Sequence, residues 1–477
     1  MNRGTPKKRI SWLGMLGIAC GLGGACVGYE ANAQTIAITG GTVALGDGSE
    51  PIQNGTVVIR DRRVVAAGAG VAVPAGAQVV NAAGKWVTPG IVAGFSRLGL
   101  SEIDLSGEGT EDLNAPGGPF SAAIDVAPAI NPVASTIAIN RADGITRAVV
   151  APTTARNIFA GQGALIDTGA DLEPVTRARL FQFVEFGESG AGTAGGSRAS
   201  SHVLFRNALR EAAELGRFAS PISSGSAESL PPAQNRPVVR NPNESRENDP
   251  RAQRSDDVLL TRFDAAALVP VLQGRQHLLV HVESARDILN VLELKRDYPS
   301  LRMVLVGASE GWLVADRIAA AGVPVIASAV NDLPASFEQL AATQSNVGRM
   351  RDAGVKVAIG MIDDNDTRYL FNQRQYAGNL VALQQVPGAT GVRWGEALAM
   401  MTSQPAEILG LGREFGSLAA GRRADVVIWS GDPLQVTSEA EMVMIDGVQQ
   451  PLENRATKLR DRYRDLSRDV LPQAYRR

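Results

Sequence analysis

From His277 to Ile359 the chain alternates short apolar strands with helical stretches, a pattern that few folds can satisfy. His277-Leu278-Leu279-Val280-His281 leads into a helical stretch from Ala285 to Lys295, and Arg302-Met303-Val304-Leu305-Val306 leads into another from Trp312 to Ala321. Val323-Pro324-Val325-Ile326-Ala327 and Val355-Lys356-Val357-Ala358-Ile359 are two further buried strands. Apolar strands separated by helices belong to a parallel sheet covered by its own crossovers. At both ends the rhythm changes to short strands and turns. Ile36-Ala37-Ile38-Thr39, Thr56-Val57-Val58-Ile59, Val64-Val65-Ala66-Ala67 and Gln78-Val79-Val80 read as strands, with Arg60-Asp61-Arg62-Arg63 as a polar hairpin turn. Ala424-Asp425-Val426-Val427-Ile428-Trp429 and Met442-Val443-Met444-Ile445-Asp446-Gly447 have the same character. Two β-rich ends around a middle of roughly 300 residues predict an α/β chain with a (β/α)8 barrel. The barrel is placed at residues 89–410, and residues 34–88 and 411–450 are expected to build one small β-sandwich from the N- and C-terminal segments.

Residues 1–33 read as an export signal, which places the protein in the periplasm or otherwise outside the cytoplasm. Arg3, Lys7, Lys8 and Arg9 precede a mostly apolar run from Ile10 to Val27, and Ala31-Asn32-Ala33 fits a small-x-small cleavage site. The run is short and broken by glycine, unlike a membrane anchor, and no later apolar run is long enough to span a bilayer. A lipoprotein site at Cys20 or Cys26 has Gly17 or Gly23 three residues upstream, where leucine is usual. Both cysteines lie inside this segment, so the mature chain has no disulfide, thiol nucleophile or thiolate metal site. Loss of the four cations and Glu30 takes the formal charge from −2 to −5, which argues against nucleic acid as a partner.

Residues 187–257 interrupt the barrel rhythm. Gly187 to Ser201 is rich in Gly, Ser and Ala, His202 to Leu215 is helical, and Ser220 to Asp257 is rich in Pro, Ser, Asn and Arg. The interval has few large apolar residues and reads as a mobile insertion. Residues 451–477 form a charged tail, in which Asn454 to Arg468 alternates Arg and Lys with Asp and Glu. This reads as a solvated helix, with a partner-binding tail as the other reading.

Two motifs carry a family likeness. The first is Gly84-Lys85-Trp86-Val87-Thr88-Pro89-Gly90-Ile91-Val92, followed by Ala93-Gly94-Phe95-Ser96-Arg97. The second runs from Glu396-Ala397-Leu398 through Thr402-Ser403-Gln404-Pro405-Ala406-Glu407-Ile408-Leu409-Gly410 to Gly416-Ser417-Leu418-Ala419-Ala420-Gly421-Arg422-Arg423-Ala424-Asp425-Val426-Val427. Together these resemble the amidohydrolase superfamily, most of all its exported imidazolonepropionase-like and dipeptidase-like members. The resemblance covers nearly all of the mature chain except the insertion. It implies hydrolysis of non-peptide carbon–nitrogen bonds, or of dipeptides, by a metal-activated water at the C-terminal end of a barrel. The family's first strand normally continues as Asp-x-His-x-His, and those positions here are Ala93, Phe95 and Arg97. The usual binuclear site takes four histidines, a bridging lysine or acid, and an aspartate. This chain has three histidines in all, His202, His277 and His281, and cannot assemble that set.

The resemblance places His281 at the family's fifth-strand histidine, Gly307 where the next histidine is expected, and Asp363 one residue late for the family's aspartate. Glu185 is a candidate bridging acid, although Phe183-Val184-Glu185-Phe186 also fits an ordinary strand. His281 and Asp363, helped by Glu185 or Glu283, are the candidates for residual catalysis or one zinc ion, and Arg97 nearby would oppose a cation. Arg97 is also the candidate ligand-binding residue: pointing into the barrel mouth it can grip a carboxylate, and otherwise it would form an ion pair with Asp363 or Glu185. His277 and His202 read as structural. Gly307-Ala308-Ser309-Glu310-Gly311 matches a nucleophile elbow, but no histidine follows His281 in the chain to serve Ser309. Asp363-Asp364-Asn365-Asp366 lacks calcium-loop spacing and reads as a helix cap at Asp366, and no phosphate-binding or dinucleotide fingerprint is present. The expectation is an amidohydrolase-like barrel that has lost the metal-dependent reaction. It would act as a small-molecule binding protein or as the inactive partner of a related, active chain. An active hydrolase with an atypical mononuclear or metal-free site is the alternative.

Overall fold

The structure, a computed structural model, describes residues 35–102, 111–218, 258–362 and 369–464. The N-terminal strands are β1 (Ile36–Val43), β2 (Ile52–Arg60), β3 (Arg63–Gly68), β4 (Gln78–Asn81) and β5 (Trp86–Pro89). The barrel strands are β6 (Ile91–Ser96), β7 (Ile145–Val150), β8 (Phe159–Asp167), β9 (Val175–Glu185), β10 (His277–Val282), β11 (Arg302–Gly307), β12 (Val325–Ala327) and β13 (Val357–Ile359). The C-terminal strands are β14 (Val426–Trp429), β15 (Ala440–Ile445) and β16 (Val448–Gln449).

Both chain ends enter one sheet, in the order β16-β15-β14-β5-β1-β2-β3, with β4 also paired to β1. The join is the antiparallel ladder between β14 and β5, where Val426 faces Pro89 and Trp429 faces Trp86. The polar turn expected between β2 and β3 is there. Asp61 and Arg62 both take the left-handed conformation, with φ of 52° and 62°, as a two-residue hairpin turn matched to strand twist requires.

The second sheet runs β6 to β13 in chain order. It is nearly closed: beyond β13 the amide of Met361 donates to the carbonyl of Phe95, 3.3 Å away on β6. The expected eight parallel strands are corrected at one position, because β8 is antiparallel to both β7 and β9 while the other paired strands run parallel. The connections at 151–158 and 168–174 contain no helix. Without a crossover of a dozen or more residues, a strand can only return alongside its predecessor in the opposite sense.

The helices follow local chemistry. The helix Ala285–Asp297 begins at Ser284, whose hydroxyl accepts the amide of Asp287 at 3.1 Å. In the insertion a short helix, Gly187–Thr193, precedes a longer one, Arg198–Phe218. Inside the barrel, Phe95, Phe181, Phe183, Leu279, Val306 and Ile326 belong to one buried cluster, closed at the floor by Leu409 and Phe415. Among the described residues, no helix is long and apolar enough to cross a membrane.

Candidate functional site

Strand alternation decides what reaches the C-terminal mouth of the barrel. On β9, Phe181 and Phe183 point into the interior cluster, so Glu185 follows them on the same face. On β10, Leu279 does the same for His281. The ladder between the two strands sets Glu185 directly beside His281. The Nδ1–H of His281 donates to Glu185 Oε2 at 2.6 Å, and its Nε2–H donates to Glu283 Oε1 at 3.0 Å. Glu283 lies two residues past His281, and its other oxygen accepts the amide of Ser309 at 2.8 Å.

The electrostatics follow from this clamp. Burial by itself disfavours the charged imidazole. The charge of Glu185, the hydrogen bonds from Glu185 and Glu283 and the charge of Glu283 outweigh it, holding the His281 pKa well above 6.5. Burial likewise pushes Glu283 up, but its bond to and charge against His281, with the Ser309 bonds, bring its pKa below 4.5. The clamp therefore favours the charged form of His281, with both ring nitrogens engaged. A metal ligand must be a neutral imidazole with a free nitrogen lone pair, and here both ring nitrogens of His281 face carboxylates instead. Among the described residues, no group of three or more His, Cys, Asp or Glu is placed to hold a metal ion.

The first-strand positions are filled by packing. The ring of Phe95 lies 5.3 Å from that of Phe183, and the Arg97 guanidinium sits 5.2 Å and 5.5 Å from those two rings. Arg97 is buried, and its Nη1 donates to the carbonyls of Ala151, at 2.9 Å, and Pro152. It is thus directed at the backbone that follows β7. At Gly307, φ is +90° and a Cβ would come within 2.3 Å of Glu283 Oε1, so the carboxylate occupies the space a side chain there would need. Asp363, Asp364, Asn365 and Asp366 lie outside the described residues.

The other two histidines are elsewhere. His277 begins β10 at the floor, in register with Arg302, and burial with the charge of Arg302 takes its pKa down to about 4. His202 stands on the helix Arg198–Phe218 with its ring 5.0 Å from Phe186, and burial and Arg206 lower its pKa. Ser309 is buried, and its hydroxyl accepts from Asn331 Nδ2 at 3.1 Å. In its turn, Ala308 takes the left-handed conformation, with φ of 51°, directly after Gly307. Both nitrogens of His281 are taken, so neither is available as a base for Ser309.

Sequence reasoning missed two groups. Glu338 is buried at the mouth, where its Oε2 accepts the amide of Glu188 at 2.7 Å; burial raises its pKa. Its sequence context, Ser336-Phe337-Glu338-Gln339, carries no signal of this. Arg147 is buried at the floor and bonded to Asp425 through Nε at 2.7 Å and Nη2 at 3.1 Å, and through Nη2 to Asp446 at 2.9 Å. A lone charge within the apolar strand Ile145-Thr146-Arg147-Ala148-Val149-Val150 was the available clue.

Comparison with known proteins gives a consistent picture. Residues 257–450 match the family model described as the amidohydrolase family. Over 408 residues, 79% of this chain, the sequence is 25% identical to the amidohydrolase tasK of Hapsidospora irregularis, and the match spans 38% of that protein's length. Over 428 residues, 85% of this chain, it is 25% identical to the imidazolonepropionase of Acidiphilium cryptum (strain JF-5), spanning 93% of that protein. The fold superposes on the crystal structure of an amidohydrolase from Thermotoga maritima MSB8 with a TM-score of 0.70 and 22% identity, covering 87% of this chain and 99% of the other.

Proposed function

We propose, for a chain that belongs to the amidohydrolase superfamily, that the fold has been kept while the metal-dependent hydrolysis of carbon–nitrogen bonds has been lost. The protein would work as a binding barrel in an exported compartment. The observation that carries this reading is His281, the one histidine at the mouth among the described residues, with both ring nitrogens engaged by Glu185 and Glu283. The phenylalanine at position 95, packed on Phe183, and the closed space at Gly307 support it. The leader-like residues 1–33 support export. We extend the proposal to the terminal sheet as a small sandwich. Support comes from β4 and β5 lying in succession along one edge of β1, over a buried cluster that includes Ile38, Val57, Val87 and Val426.

The test is elemental analysis of the purified protein after dialysis against zinc, with turnover assays on dipeptides, N-acyl amino acids and imidazolonepropionate. Substoichiometric metal and no turnover above the uncatalysed rate are expected. Turnover that rises with a stoichiometric divalent ion would refute the proposal.

Restoring the first-strand histidines alone is expected to fail. The double variant Phe95→His, Arg97→His still lacks an imidazole at Gly307 and leaves His281 clamped. It also replaces an apolar ring in the core with a polar one, at a cost of about 1–3 kcal/mol for an unsatisfied group. A lowered urea midpoint without turnover is the anticipated result. Measurable hydrolysis by this variant would show that a sufficient ligand set survives elsewhere.

A further inference from the structure

The last helix, Arg455–Arg464, buries none of its residues. It carries Arg455, Lys458, Arg460, Arg462 and Arg464 against one acid, Asp461. The whole chain has a formal charge of −2, so everything outside this helix carries −6. Lys458 and Arg460 pair with Glu453 and Asp461, inside the tail itself. Leu459 and Tyr463, one turn apart on the same face, are 39% and 67% exposed. This is a basic helix with an apolar stripe, attached to an acidic body.

The complementary surface is at the barrel mouth. The segment after β12 exposes Leu333, Phe337 and Leu340 at 81%, 83% and 65%. Its backbone is fixed in place: Trp312 Nε1 donates to the carbonyl of Ala341 at 2.8 Å, and the Ala341 amide donates to Glu310 at 2.9 Å. Asp332 follows β12 and the exposed Glu111 and Asp112 follow β6, so all three lie at the same end of the barrel, where Glu188 is paired with Arg198. Large apolar groups with acids around them match a helix whose apolar stripe is edged with cations.

We propose that the chain pairs with a second copy of itself, the basic helix of each docking on the acidic, apolar mouth of the other. The tail is rooted at the barrel floor, where Arg141 Nε donates to the carbonyl of Pro451 at 3.0 Å and the Ala170 amide donates to Gln450 Oε1 at 3.0 Å. Ten residues of helix extend about 15 Å. Six residues of barrel strand alone span about 20 Å, so the described part of the helix, Arg455–Arg464, is shorter than the barrel wall beside it. Two barrels side by side and antiparallel bring each floor beside the other's mouth, and a two-fold axis closes the arrangement with both contacts satisfied.

The experiment is native mass measurement and sedimentation of the exported protein, of Arg460→Glu/Arg462→Glu, and of Phe337→Ser. Each change lies at an exposed position outside the clamp. The wild type is expected to be a dimer that dissociates as salt is raised from about 0.1 M to about 1 M, where the screening length falls from about 10 Å to about 3 Å. Each variant alone is expected to be monomeric with an unchanged thermal midpoint. Mixing the two variants restores a mixed dimer, because one intact tail then meets one intact mouth. A monomeric wild type, dimers that persist in either variant, or failure of the mixture to associate overturns the proposal. So does a wild type that binds phosphatidylglycerol vesicles through the helix while remaining monomeric. Mass is independent of metal and turnover, so this result and the loss of hydrolysis stand or fall separately.

Discussion

Arg147→Ala is expected to destabilise the protein by about 3–5 kcal/mol, the usual cost of removing one partner from a buried ion pair. The guanidinium is buried at the floor of the barrel with Asp425 and Asp446 bonded to it and Asp167 3.7 Å away, and it stacks 5.3 Å from the Phe415 ring. Burial opposes its charge, but Asp425, Asp446 and Asp167 together raise its pKa further above the normal arginine value. Asp425 immediately precedes β14 and Asp446 follows β15, so one side chain ties the barrel to the sheet built from both chain ends. Alanine leaves Asp425 buried without its cation and opens a void over Phe415. Urea unfolding at neutral pH, followed by tryptophan fluorescence, measures the loss. Arg147→Lys keeps the charge and loses the two-pronged grip on Asp425, so its midpoint is expected between the two. A midpoint for the alanine variant equal to wild type would mean that the bonds only balance the desolvation of the four groups.

His281→Ala is expected to cost a similar amount, about 3–5 kcal/mol, because two buried carboxylates lose the cation between them. Its pH dependence separates it from a simple cavity. The folded-state pKa of His281 is raised, so its stabilisation is complete below 6.5 and is lost only as pH climbs through the higher folded value. The Glu283 pKa is lowered, so its contribution is present above 4.5 and disappears as pH falls through the folded value. Between those limits the gap between wild type and variant should stay level, closing in acid and again in alkali. Adding Glu283→Gln to the variant removes one stranded charge and should recover part of the loss. A penalty that ignores pH and is not relieved by the second change would mean that His281 contributes packing alone.

Much of the molecule was legible in residue order. The strands β10 to β13 announced themselves because a segment buried on both faces reads as an apolar run wherever it lies. The turn at Asp61 and Arg62 depends on neighbours within a few positions, so it too was readable. The reversal of β8 was not anticipated. It depends on two helix-free connections, and a strand's own residues do not record which way it runs. At the site, Glu185, His281 and Glu283 were all visible as candidates, but a list of donors does not say whether they face a metal or each other.

By itself the sequence determined the supply of chemistry: three imidazoles in the whole chain, a phenylalanine and an arginine in the first-strand positions, and no cysteine after residue 26. Folding cannot add to that inventory. Only the tertiary structure decided how it is used, because ionisation and pairing are set by groups brought close in space. Glu185 reaches His281 from 96 positions away, and Asp425 reaches Arg147 from 278. Local periodicity reports burial, but charge is balanced by neighbours that only the closed barrel assembles.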